Sequence, residues 1–168
     1  QVLIVDAKVR SAYISDAKVH AELSGREKLP EIKLQVENQD LDYGGLLKAL
    51  DITDKVTGKL DFQLEALGRG QRLPALLAAA DGTLRIKGGA GTIDYDQLRL
   101  WAGGLTEMLV PAKVQDTQES QVNCLAAYIE LEPGLLRSKG IVLDTELATI
   151  GGAFKVTLPS EALQGAFQ

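Results

Sequence analysis

Side chains that carry chemistry are scarce in this chain, whose 168 residues include one Cys, one His, one Met and one Trp. A single cysteine closes no internal disulfide, and one Cys with one His falls short of a structural zinc site. Cysteine usage therefore fits a cytoplasm or a periplasm equally well. Aromatics are few as well, with four Tyr and three Phe beside the Trp, so Leu, Ala, Val, Ile and 17 glycines supply most of the apolar surface. No stretch approaches the roughly 18 consecutive apolar residues of a membrane span. Basic residues are in deficit, 18 against 23 acidic, for a net charge of −5 and a pI near 4.9. That balance argues against nucleic acid and against an anionic membrane surface as partners, because both are held by Lys and Arg.

What the chain does have is alternation. Val56, Gly58, Leu60, Phe62, Leu64 and Ala66 take every second position, with Thr57, Lys59, Asp61, Gln63 and Glu65 between them. The same period-two pattern holds around Ala17, Val19, Ala21 and Leu23, around Ile32, Leu34 and Val36, and around Leu84 and Ile86. It returns in Ile150, Phe154, Val156 and Leu158, where Gly151-Gly152 suggests a bulge or bend. With 2–9, 122–132 and 135–144 the set comes to about eight strands. Short links and one-sided alternation predict an antiparallel sheet with a single buried face. Pro133-Gly134 marks a tight hairpin.

Helical spacing occurs in 44–50 (GGLLKAL), in 73–80 (LPALLAAA) and in 96–109, where Leu98, Trp101, Leu105 and Met108 share a face. Residues 115–121 (QDTQESQ) lack a pattern and read as a loop. A faint repeat, GLLKAL before TGKLDFQL and ALLAAA before DGTLRIKG, suggests an array of strand-and-helix units. The chain begins at Gln1 rather than Met and ends in EALQGAFQ without a capped helix, so it is expected to be one domain, 1–168, cut from a longer protein.

Reactive constellations are hard to find. A nucleophilic cysteine needs a base beside it, and alternation places His20 on a polar face far along the chain from Cys124, which therefore reads as a small packing residue inside the sheet. The pairs Asp40-Asp42, Asp51-Asp54 and Asp94-Asp96 lack the spacing of a calcium loop and suit turns or caps. The run KGGAGTIDYD lacks the spacing of a phosphate loop and reads as a turn between strand 84–87 and helix 96–109. Asn123, a polar residue on an apolar face, is expected to bond backbone at a sheet edge. The expectation is a protein without catalytic residues, metal or cofactor, and not an enzyme.

Ordered motifs add a second line. ALLAAADGTLRIKGGAGTIDYDQLRLWAGGL, then VNCLAAYIELEPG, then IVLDTELATIGGAF resembles the C-terminal region of the AsmA family, envelope proteins related to the bridge-like lipid-transfer proteins of Gram-negative bacteria. The likeness spans about 41–154, leaving 1–40 as leading strands and 41–168 as the AsmA-like region. It implies a mainly β (α+β) fold, a strongly curved antiparallel sheet of about eight strands forming a U-shaped apolar groove with two or three short helices. It further implies a periplasmic body on an inner-membrane anchor absent from this chain, and a role in phospholipid transport and outer-membrane biogenesis.

The residue pattern agrees with such a role, since a one-sided sheet with few helices leaves apolar surface to cover. Groove residues are expected at Leu60, Phe62, Leu64, Leu84, Ile86, Ile150, Phe154 and Val156, in contact with phospholipid acyl chains. Small residues such as Ala17, Ala21 and Gly58 would leave room for those tails. The alternative is a non-enzymatic structural or assembly module that caps the groove, with helix 96–109 filling it, or that docks an envelope protein partner.

Overall fold

Among the described residues the alternation is realised as strands, with Leu158 lying outside them. The computed structural model describes residues 2–25, 29–94, 96, 119–157 and 162–167. These form β1 (Val2–Val9), β2 (Asp16–Ser24), β3 (Glu31–Asp42), α1 (Tyr43–Ala49), β4 (Val56–Arg69), α2 (Leu73–Ala78), β5 (Asp81–Asp94), β6 (Glu119–Glu132), β7 (Leu135–Thr145), β8 (Thr149–Thr157) and β9 (Ala162–Phe167). The strands lie side by side in chain order as one open sheet. Every neighbouring pair is antiparallel. At the usual strand spacing nine strands span roughly 38 Å.

Local chemistry explains the connections. Glu132 pairs with Leu135, so Pro133 and Gly134 alone turn the chain. Proline presets the first turn residue, and Gly134 takes the positive φ of 76° that a side chain would resist. The Asp42 carboxylate accepts a hydrogen bond from the Gly45 amide at 2.8 Å and starts α1. Gly44 seats that helix on β4, since a Cβ there would lie 2.6 Å from the Val56 carbonyl oxygen.

Several expectations change. Where about eight strands were expected the sheet has nine, the last being 162–167 paired with β8. The glycine-rich run is not a turn, as β5 continues to Asp94. Gly88 and Gly91 stay paired with β4 and β6, and the register slips between Gly58 and Leu60 to absorb the extra residue opposite. Residues 119–121 belong to β6 rather than a loop, because pairing with 92–94 overrides their polar composition. Gly151 and Gly152 pair regularly with Val142 and Ile141, and the neighbouring irregularity lies between Arg137 and Ile141. Helix 96–109 is represented among the described residues by Asp96 alone.

Asn123 and Cys124 are corrected together. Val122 pairs with Thr145 and Cys124 with Asp144, leaving Asn123 as the extra residue of a bulge. Asn123 Nδ2 donates to Asp144 Oδ2 at 3.1 Å, a side-chain bond within the sheet and not a backbone bond at its edge. The bulge shifts the alternation that follows it, so Leu125, Ala127 and Ile129 share one face while half-buried Cys124 lies on the other with Ala126 and Tyr128. Cys124 is thus not a wall residue of the apolar face.

Buried hydrophobics among the described residues are Ala17, Val56, Ala80, Ile93 and Val122. Val56, Ile93 and Val122 form one cluster with Tyr43, Leu47, Leu143 and Ile150 packed against it. The core therefore sits under α1, at one end of the central strands.

Candidate functional site: an apolar face across the sheet

Cross-strand register assembles apolar residues into continuous rows. One row runs from Val5 through Ala21, Leu34, Ala66, Gly82, Leu131 and Leu136 to Val156, crossing eight strands without a polar side chain. Next to it, Ala7, Val19, Val36, Leu64, Leu84 and Ile129 pair in succession and end at Ser138. Nearer α1, Leu41, Leu60, Gly88, Leu125, Leu143 and Ile150 form another. Directly opposed side chains about 5 Å apart touch, so the rows merge into one face.

All eight residues expected from the sequence are half-buried. Leu64 pairs with Leu84 and Phe62 with Ile86, so β4 and β5 bring five of them together. Ile150, Phe154 and Val156 stand apart on β8, with β6 and β7 between. Leu125, Leu131, Leu136 and Leu143 bridge the gap and were missed. Alternation on β6 is blurred because Ala126 and Tyr128 make its other face apolar too, and the bulge at Asn123 shifts the phase.

Buried polar residues interrupt the apolar side. Asn38 pairs with Ala17 and Phe62, is 2% exposed, and has no partner for either amide atom. Ser120 beside Ile93 is fully buried with an unpartnered hydroxyl. Ser138 is satisfied, accepting from the Phe154 amide at 2.9 Å.

The opposite face is charged. Lys139 pairs with Glu130 at 3.0 Å and Arg69 with Glu31 at 2.7 Å, while the Arg85 guanidinium lies 5.6 Å from the centre of the Tyr128 ring. His20 stands between two carboxylates, Nδ1 against Asp6 at 2.6 Å and Nε2 against Glu22 at 3.2 Å. Those bonds, Asp6 first, raise its pKa above the ordinary histidine value. Hydrogen bonds from Thr149 and Asn123 lower that of Asp144, whereas burial raises that of Tyr43.

Depressions of about 380 and 530 Å³ lie among charged residues of both signs, including Lys18, Glu37 and Arg85 in the first and Asp6, Lys8 and Glu65 in the second. Mixed charge of that kind selects no ligand class. A smaller one of about 180 Å³ beneath α1 is apolar. His20 on β2 and Cys124 on β6 are separated by three strands, so the structure does not bring the chain's one imidazole to its one thiol. Among the described residues no group of three or more His, Cys, Asp or Glu is placed to hold a metal ion, and no helix is long and apolar enough to cross a membrane.

Fold and surface thus define a class: an open one-sheet β protein whose apolar and charged residues are segregated onto opposite faces. Within known sequences, the chain is 25% identical over 147 residues to the AsmA family protein YhjG of Escherichia coli (strain K12). The match takes in 88% of this chain and 21% of that protein, so the chain spans about a fifth of the curated relative's length. The chain is a distant relative of the AsmA family. No family model and no solved structure matches it.

Proposed function

We propose that this chain is a lipid-binding segment of an envelope protein, its apolar face carrying phospholipid acyl chains as part of phospholipid transport and outer-membrane biogenesis. The observation that carries the reading is the unbroken row from Val5 to Val156, exposed at Val5 and half-covered, not buried, from Ala21 onward. Large exposed apolar surfaces mark sites of contact with another apolar body. The family relationship agrees with an envelope setting, which we extend to a periplasmic body anchored in the inner membrane by a segment outside this chain.

Energetics suit the task. A sixteen-carbon tail drawn from a bilayer loses on the order of 12 kcal/mol of apolar contact, at about 0.8 kcal/mol per methylene. An aliphatic face of Leu, Val, Ile and Ala restores part of that without hydrogen bonds that would hold the lipid in place. In this reading the chain acts by surface alone and catalyses nothing.

A second reading rests on α1, whose Tyr43 and Leu47 pack on the core at one end of the sheet. A covered end suits a module that closes the apolar face or docks an envelope partner.

Photocrosslinkers separate the two. With benzoylphenylalanine at Leu84, phospholipid should be captured in a Gram-negative host, whereas the same group at Lys87 on the charged face should capture none. Equal capture at both positions, or protein alone at Leu84, contradicts lipid binding on this face.

A further inference from the structure

The apolar depression beneath α1 has properties that the open face lacks. Leu46 and Leu47 wall it on the helix side, and Val56, Ile93, Val122 and Leu143 on four strands. Its volume is about 180 Å³ and its walls present almost no polar atom. The one hydroxyl at its rim, that of Tyr43, already donates to the Thr57 carbonyl at 3.0 Å.

These features select the occupant. A buried water needs two to four polar partners, and an apolar cavity of roughly 150 Å³ stays dry yet admits benzene-sized hydrocarbon. A phosphate, a sugar or an ester would lose its hydration here without replacement. Hydrocarbon alone fits.

Position supplies the direction of entry. Leu60 and Leu125 belong both to the wall of this cavity and to the open face, on either side of Gly88. The next inward-facing residues along the same strands are Phe62 and Ala127, which flank Ile86. A hydrocarbon chain lying on the face can therefore run over Ile86 and past Gly88 into the cavity between apolar side chains, because Asn38 beside Phe62 and Ser120 beside Ile93 are themselves buried.

We infer that the cavity under α1 receives the methyl end of an alkyl chain whose remainder lies on the sheet. The inference rests on the lipid-binding reading above and gives it a polarity: tails point toward α1, and head groups toward the far ends of the strands.

The test is isotope-filtered nuclear Overhauser spectroscopy, with palmitate as the probe and the protein labelled at Ile, Leu and Val methyls. The terminal methyl of palmitate should show its strongest contacts with Ile93 and Val122, and its α-methylene none with either. Contacts of the terminal methyl with Leu64 and Leu84 but not with Ile93 or Val122 would overturn the cavity proposal and leave the face as a lipid surface. No protein–palmitate contact at all would overturn both.

Discussion

Tyr43 and Gly58 are locked together: the Tyr43 hydroxyl, bonded to the Thr57 carbonyl, occupies the space where a Cβ on Gly58 would stand. Gly58 also holds a φ of 143°, which L side chains rarely adopt. One glycine thus lets α1 sit on β4 over the small core.

Replacing Gly58 with Ala should then lower stability by about 1–3 kcal/mol through backbone strain and displacement of the phenol. Tyr43→Phe, which removes only one hydrogen bond, should cost about 0.5–1.5 kcal/mol. Urea denaturation of both variants checks the order, and a Gly58→Ala protein as stable as the parent would contradict the contact.

Asn38 offers an opposite sign. Its amide is almost wholly buried without a partner, a condition that costs about 1–3 kcal/mol. Asn38→Leu should therefore raise stability by a comparable free energy, seen as a higher urea midpoint. A fall in stability would mean that the amide is hydrogen-bonded in solution.

Proton linkage should be visible at His20. A neutral imidazole donates from one nitrogen only, so both Asp6 and Glu22 are satisfied only when the ring is protonated. The folded-state pKa is raised, so the resulting stability is fully present below the unfolded value of about 6.5 and lost as pH rises through the folded value. His20→Gln should remove this pH dependence, as followed by urea midpoints between about pH 5 and pH 9. Because Asp6 is on β1 and His20 on β2, the protection of β1 amides relative to their intrinsic exchange should fall over the same rise.

A charge on the apolar face should separate binding from folding. Leu84 is half-buried between Leu64 and Ile129. Leu84→Asp removes roughly 1.5–3 kcal/mol of apolar contact with a bound tail, which is a loss of about tenfold or more in lipid affinity. Circular dichroism and titration with a labelled phospholipid measure the two effects. If unfolding explains the whole loss, Leu84 is core and not a binding surface.

Much of this was legible in the residues. The alternation of Val56 to Ala66 placed β4, and Pro133-Gly134 marked the β6–β7 hairpin with its two flanking strands. What stayed hidden depended on pairing. Gly88 and Gly91 look like turn residues because local sequence does not reveal that β4 backbone occupies the space of a Cβ at Gly91. Cys124 looked inward because it follows Val122 at a spacing of two, and the extra residue Asn123 reverses the phase of the residues after it. Strand β9 escaped because ALQGAF is short and made largely of small residues, and becomes a strand only against β8. The eight expected face residues lie where alternation is clean, and the bridging leucines of β6 and β7 lie where it is not.

The most direct test of the central claim is native mass spectrometry, with lipid extraction, on the chain purified from a Gram-negative host. Phospholipid should leave with the folded protein and appear as discrete adducts, fewer in Leu84→Asp. A folded protein that carries no lipid and takes up no labelled phospholipid would contradict a lipid-binding face and favour a capping or docking module.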